Sequence, residues 1–122
     1  MNELKLVVVY LLILIGSSFL SCKQTEETKP EVLLTESQMI DVTTDIQLIE
    51  AALNYRRNIG LDFTDIRDVY YGHLFEKHGI TAEIYQENVL FYNRTPARME
   101  SIYNEVLENL EALQAGLGDL TE

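Results

Sequence analysis

Histidine and carboxylate side chains offer the most suggestive chemistry in this chain, and His73 is the most notable of them. It lies in the middle of an apolar helical face beside Ile66 and Val69. An imidazole buried there needs hydrogen-bonding partners for both ring nitrogens. Because Asp45 and Glu50 border the main apolar stripe of the preceding helix, we expect His73 to form a polar core pair with one of them. The alternative is that the same ring serves as a general base or a metal ligand.

Two groups of aspartates could also support chemistry. Asp62, Asp65 and Asp68 step by three at the start of a predicted helix, where acidic side chains favour the helix dipole. They lack the alternating ligand spacing and the closing glutamate of a calcium loop. Asp41 and Asp45 are one helical turn apart, so they could pair for acid–base work or border a solvated face.

The sequence offers little support for a metal or a cofactor. His73 and His78 are about 140° apart around one helix, so they cannot share a metal on one face. No glycine-rich phosphate loop and no nucleophile elbow is present. We therefore predict no catalytic residue, no metal and no cofactor. A hydrolase or metal site built on His73 and the carboxylates of the first helix remains the second alternative function.

Tyrosine is frequent in the part of the chain that looks folded. Its aromatic rings could line a groove for a sugar or a peptide, which makes binding of a small ligand or glycan the first alternative function. At helical spacing, the same rings could instead belong to the core and its rim. These tyrosines are Tyr55, Tyr70, Tyr71, Tyr85, Tyr92 and Tyr103.

The N-terminal residues 1–21 have the order of a secretory signal: a polar start, an apolar run at 6–15 and then small residues. The apolar stretch is shorter than the roughly 20 residues that a membrane-spanning helix needs. Residues 19–22 (FLSC) resemble the box that ends bacterial lipoprotein signals. That resemblance implies that the Cys22 thiol receives a diacylglyceryl group and becomes the first residue after cleavage. Two or three acyl chains would hold the protein to a membrane permanently.

The net charge of the chain and the residue that follows Cys22 limit the expected cellular location and the expected partners. Lys23 stands where lipoproteins retained in the inner membrane commonly carry Asp, so the resemblance implies the outer membrane, facing the periplasm or the cell surface. The 20 acidic residues outnumber the 9 lysines and arginines, for a net charge of -11. This charge repels phosphate backbones, so nucleic acid is not an expected partner. Membrane contact is expected through lipid and not through a basic patch.

The pattern of residues that begin and end helices starts only after residue 33. Thr35 and Gln38 have the spacing of a capping box, Gly79 suits a left-handed helix end, Thr81 can cap a helix, and Pro96 suits a first helical position. We predict helices at about 36–55, 64–78, 82–92 and 96–115. The fold class is then all-α, a compact bundle of about four helices after a signal peptide and a flexible tether. The predicted parts are a signal peptide at 1–21, a lipidated cysteine and tether at 22–33, a helical domain at 34–116 and a disordered tail at 117–122.

The first and last helices carry apolar stripes that should build the core. Helix 1 has a main stripe and a second one nearly opposite, so it is either central in the fold or exposes the second stripe to a partner. The main stripe of helix 1 is Val42, Ile46, Ile49 and Leu53. Its second stripe, the candidate interaction stripe, is Ile40, Leu48, Ala51 and Tyr55. The last helix has one continuous apolar stripe, which we call the helix 4 seam: Met99, Tyr103, Val106, Leu110 and Leu113.

Residues 30–110 resemble the Bacteroidetes lipoprotein family defined by domain of unknown function 4296. The stretches that carry the resemblance are 39–41, 45–51, 75–81, 91–92 and the helix at 96–110. The resemblance implies an anchored helical domain and brings no activity with it. We therefore expect a membrane-anchored envelope lipoprotein whose small helical domain binds a protein partner and is not an enzyme.

Overall fold

The four predicted helices are present, with differences at their ends. The computed structural model describes residues 2–5, 7 and 29–118. Residues 29–118 form four helices and no strand, which confirms the all-α class. The helices are α1 (Glu36–Asn58), α2 (Thr64–His78), α3 (Ala82–Asn93) and α4 (Pro96–Gly118).

Local hydrogen bonds fix the boundaries of the first three helices. Thr35 Oγ1 accepts from the Gln38 N–H at 3.2 Å, and Gln38 Oε1 accepts from the Thr35 N–H at 2.9 Å, so the predicted capping box is present. Gly79 ends α2 with a φ of 64°, a left-handed conformation that glycine adopts without strain. The Thr81 hydroxyl then accepts from the Ile84 N–H and caps α3. These predictions from local sequence are confirmed.

The last helix runs past its predicted end. We expected Gly116 to stop α4, but the helix continues through Leu117 to Gly118. Glycine permits a left-handed turn without requiring one, and among the described residues only Gly60 and Gly79 have a positive φ. The predicted tail at 117–122 therefore starts inside a helix, and its residues 119–122 lie outside the described part.

The first and last helices run side by side in the same direction. Near their starts, Arg98 Nε donates to the Glu36 carboxylate at 2.8 Å. Further along, Asp45 of α1 and Leu113 of α4 line one groove. This parallel pair is separated along the chain by the whole of α2 and α3.

Helices α2 and α3 return antiparallel to α1, one after the other. His78 at the end of α2 contacts Asp45 in the middle of α1, and Tyr85 of α3 bonds the neighbouring Thr43 at 3.0 Å. α3 then ends beside the start of α1. Helix α1 therefore packs along α2 and α4, while α3 packs against α4 and bonds α1 through Tyr85.

The core lies between α1, α3 and the first half of α4. On α4 it contains Met99, Ile102 and Val106, whereas Tyr103 is 45% exposed and Leu113 is 48% exposed. The predicted seam is therefore wrong at these two positions: α1 packs on the Ile102 side of α4, and Leu113 lies beyond the packed region. The buried apolar residues are Leu34, Met39, Val42, Leu53, Leu74, Tyr92, Met99, Ile102 and Val106.

The residues just before α1 are bound to α3. Asn88 is completely buried; its Oδ1 accepts from the Leu34 N–H at 2.9 Å, and its Nδ2 donates to the Val32 carbonyl at 2.8 Å. The Tyr92 hydroxyl donates to the Leu34 carbonyl at 2.7 Å. We call residues 32–34 the N-terminal strap. The predicted tether ends at residue 33, and the buried Asn88 amide binds the backbone of Val32 within it and of Leu34 just after it.

The predicted lipidation site, Cys22, lies outside the described residues, as does most of the predicted signal peptide. In the described part of the chain, no helix has the length and apolar content needed to cross a bilayer.

Candidate binding groove

His73 does not form the predicted polar core pair. Its side chain is 77% exposed, and its Nδ1 lies 3.9 Å from Glu76 on the next turn. The buried side of α2 carries Leu74, with Tyr71 partly buried beside it. This side is rotated by roughly 100°, one residue along the helix, from the face we predicted. His73 makes no hydrogen bond or ion pair with either carboxylate, so the pairing is wrong.

Asp45 instead binds the histidine at the end of α2. Its Oδ2 lies 2.7 Å from His78 Nε2 and accepts from Lys77 Nζ at 2.6 Å. The Asp45 and His78 side chains are both mostly buried, while the Lys77 side chain is mostly exposed. The three side chains join the C-terminal turn of α2 to the middle of α1, and we call them the Asp45 triad.

The triad favours the ionised form of its carboxylate. Burial by itself raises the pKa of Asp45, because it penalises the charged form. The hydrogen bonds and positive charge of Lys77 and His78 outweigh that penalty, so the pKa lies below its usual value. Asp45 is therefore a carboxylate at neutral pH and serves as an ion-paired link between two helices.

Glu50 also has a partner other than His73. The Tyr71 hydroxyl donates a hydrogen bond to Glu50 Oε1, which joins α2 to α1 one turn further on. Burial, followed by this hydrogen bond and the carboxylate charge, raises the pKa of Tyr71 to about 12. The two predicted acceptors on α1 do bind α2, through Tyr71 and His78 in place of His73.

A groove of about 590 Å³ opens beside the Asp45 triad. One wall is the middle of α1 with the end of α2, and the other is the second half of α4. The lining combines acidic, amide, basic and apolar side chains. Such a mixture suits contact with an extended segment of another molecule better than binding of one small functional group. The lining residues are Asp41, Thr44, Asp45, Lys77, His78, Asn109, Ala112 and Leu113.

The floor of this groove contains an unsatisfied polar atom. Thr44 is nearly completely buried, and its Oγ1 has no hydrogen-bonding partner. A buried hydroxyl without a partner is uncommon and costs about 1–3 kcal/mol. The neighbouring Thr43 is also buried, but its hydroxyl bonds Tyr85. The groove floor therefore contains a buried hydroxyl whose hydrogen-bonding capacity is not used.

The groove contains one pair of side chains that also occurs in hydrolytic sites. A carboxylate that orients a histidine is one component of a nucleophile-activating arrangement, and Asp45 with His78 has that geometry. Within the described residues, no hydroxyl or thiol is hydrogen-bonded to His78. No three His, Cys, Asp or Glu side chains of that part of the chain converge as metal ligands. The described residues therefore show a carboxylate–histidine pair with no hydroxyl or thiol bonded to the histidine.

The aspartates before α2 have a capping role. Asp62 Oδ1 accepts from the Thr64 N–H at 2.9 Å, and this bond lowers the pKa of Asp62. Asp65 lies in the first turn of α2, where its charge favours the helix dipole. These positions fit the helix-start interpretation of the sequence.

The candidate interaction stripe on α1 is only partly a free surface. Ile40 packs against the core cluster, whereas Leu48, Ala51 and Tyr55 are exposed. The exposed part of the stripe is therefore limited to the second half of α1. Val42 and Leu53 of the main stripe are buried, as predicted.

Three aromatic rings line a second, smaller cleft. Tyr71, Phe75 and Tyr85 follow one another with ring centroids 6.0 and 6.5 Å apart. With Arg67, Gln86 and other side chains they border a cleft of about 420 Å³. Tyr92 is buried and Tyr55 is exposed elsewhere, so the structure brings two of the six tyrosines into this cleft.

Residues 30–115 match the family model described as Domain of unknown function (DUF4296). The chain belongs to the DUF4296 family. In this DUF4296 domain, the match covers all of α1, α2 and α3, most of α4 and the N-terminal strap. Cys22 lies ahead of the matched range. No curated protein and no solved structure matches the chain.

Sequence reasoning missed most of the groove. His78 was considered only with His73 as a shared metal site, and Asn109 and Ala112 carry no chemical signal of their own. One clue was available: Leu74 and His78 are one turn apart, and Phe75 shares their side of α2, so His78 continues a possible apolar face.

Proposed function

We propose that this DUF4296 protein is an envelope lipoprotein, anchored to the outer membrane through Cys22. In this proposal its helical domain binds another protein in the groove beside the Asp45 triad and catalyses no reaction. The anchor is supported by the order of residues 1–22: a polar start, a short apolar run and a small-residue box ending in a lone cysteine.

The observation that carries the binding role is the uncovered side of α4. Leu113 and Leu117 lie on roughly the same side of α4 as the buried Met99 and Val106, yet they are 48% and 65% exposed. Apolar side chains that continue a core stripe beyond the packed region are typical of a surface that a partner covers.

Photocrosslinking in the native envelope tests the binding role. A photoreactive amino acid replaces Ala112 in the groove or, as the control, the exposed Glu83 on α3. We expect a discrete protein adduct from position 112, none from position 83, and loss of the adduct on Leu113→Asp. No adduct from 112, or equal adducts from both positions, would contradict the proposal.

Labelling with a fatty-acid probe tests the anchor separately. The intact chain should incorporate the probe, and Cys22→Ser should not, because only the thiol of Cys22 can carry the predicted diacylglyceryl group. Equal labelling of both chains would reject the anchor and leave the crosslinking result to be judged by itself.

A second candidate function is binding of a glycan or small ligand in the aromatic cleft. The specific observation is that Tyr71 and Tyr85 lie beside Arg67 and Gln86, which combines rings with polar groups. Titration with soluble oligosaccharides, followed by amide NMR shifts, should then move the signals of Gln86 and its neighbours. Shifts at the groove instead would favour the protein partner.

A further inference from the structure

We infer that the occupant of the groove is a basic amphipathic helix of another protein. This inference rests on the proposed function and names its partner class. It depends on three features of the described residues: the shape of the groove, the charge on α4 and the location of the exposed leucines.

The shape favours a helix as the occupant. The open stretch of α4, from Asn109 to its end at Gly118, is ten residues long, or about 15 Å. Facing it are the middle of α1 and the last turn of α2, so the groove lies between helical walls. An amphipathic helix of about three turns buries its apolar face in such a groove.

The apolar contact lies along one wall. Leu113 lines the groove itself, and Leu117 lies one turn beyond it on the same helix. Their spacing of one turn matches apolar residues three or four apart on a partner helix. A helix placed there would extend the core stripe of α4 and cover the two leucines.

The charge on α4 determines which helix fits. After Arg98, the described part of α4 carries glutamates and no basic residue. No ion pair involves these glutamates or Asp41 within the part of the chain that the structure describes. A partner with lysines or arginines beside its apolar face would be attracted to Asp41 in the groove and to the two glutamates next to it. These two are Glu105 and Glu108, one helical turn before the groove-lining Asn109 and Ala112, whereas Glu100 and Glu111 lie on another side of α4.

The same charge disfavours a second copy of this chain. Each copy carries a net charge of -11, so two copies brought together at this groove would repel one another. Like charges juxtaposed at an interface oppose binding. The occupant is therefore a different protein, with charge opposite to that of α4.

Selection from a displayed helix library tests this partner class. The library has helices of about four turns with a fixed leucine face and polar positions drawn equally from Lys, Glu and Gln. The bait is the intact anchored protein in nanodiscs of zwitterionic lipid, and empty nanodiscs remove lipid binders. Leu113→Ser is the groove variant. Leu90→Ser is the matched control, because Leu90 is an exposed leucine on α3 away from the groove.

We expect selected helices to be enriched in Lys over Glu, and Leu113→Ser to weaken their binding about tenfold while Leu90→Ser leaves it unchanged. Enrichment of neutral or acidic helices, no enrichment, or equal loss in both variants would overturn the inference. Crosslinking at position 112 separates the two proposals. An adduct whose crosslinked segment is acidic would retain the protein-binding role and reject the basic helix, whereas no adduct would reject both.

Discussion

His78 Nε2 lies 2.7 Å from Asp45 Oδ2, and this contact holds the end of α2 against the middle of α1. It is also where the break between α2 and α3 occurs, since Gly79 and the cap of α3 follow at once. The pair therefore holds against α1 the point at which the chain passes from α2 to α3.

We predict that His78→Ala destabilises the domain by about 1 kcal/mol. A hydrogen bond to a charged group contributes about 1.5–3 kcal/mol, and the partial exposure of this pair reduces its effect. His73→Ala is the matched control on the same helix and should change stability by less than about 0.5 kcal/mol. Urea unfolding followed by circular dichroism measures both. A larger effect of His73→Ala would mean that the buried face of α2 is misassigned.

Acid should remove the contribution of Asp45 to stability. The pKa of Asp45 is lower in the folded protein than its unfolded value of 3.8, so its ion pairs stabilise the fold above that value. The contribution is lost as the pH falls through the folded pKa. The stability difference between wild type and Asp45→Asn should be present at about pH 5 and shrink below about pH 4. A difference that grew on acidification would give the opposite sign and exclude this linkage.

We predict that Ile102→Ala costs about 3 kcal/mol, the usual effect of a cavity in a packed core. Leu110→Ala should cost less than about 2 kcal/mol, because Leu110 is only half-buried while Ile102 is 1% exposed. Denaturant midpoints of the two variants test this order. Equal effects would place Leu110 in the core, as the continuous seam inferred from the sequence implied.

We predict that Asn88→Ala releases the N-terminal strap. It removes the partners of the Leu34 N–H and the Val32 carbonyl, which should cost about 1–3 kcal/mol. Amide hydrogen exchange at Leu34 should become faster than in wild type. Asn93→Ala, at the exposed end of α3, is the control and should leave that exchange rate unchanged. Protection at Leu34 that survived Asn88→Ala would show that the strap is held by Tyr92 and apolar packing alone.

Local sequence was sufficient for the helices and insufficient for the site. Thr35, Gly79 and Thr81 act within a few residues of themselves, so their caps can be recognised without knowing the fold. Gly116 shows the limit of that reasoning, since a glycine permits a helix end and the neighbouring residues decide whether it occurs.

The face of α2 could not be chosen from its sequence. Apolar residues lie on more than half of its circumference, so a face centred on His73 and a face that includes His78 are both plausible. The parallel packing of α1 and α4 depends on contacts between residues far apart in sequence. It selects between these two faces of α2 and also creates the groove. Asn88 was missed for a related reason: a buried amide depends on strap residues 54 and 56 positions away.

The N-terminal strap also has a mechanical consequence. A pull on the chain from the residues before Lys29 would first reach Pro30, which is buried, and then Val32 and Leu34, ahead of any helix. The bonds of Asn88 and Tyr92 to these last two residues would then bear the load. Stretching would therefore peel residues 32–34 from α3 before force reached the contact between α1 and α4. Release of the strap would lengthen the link between the helices and the predicted anchor, and it would also withdraw Leu34 from the core.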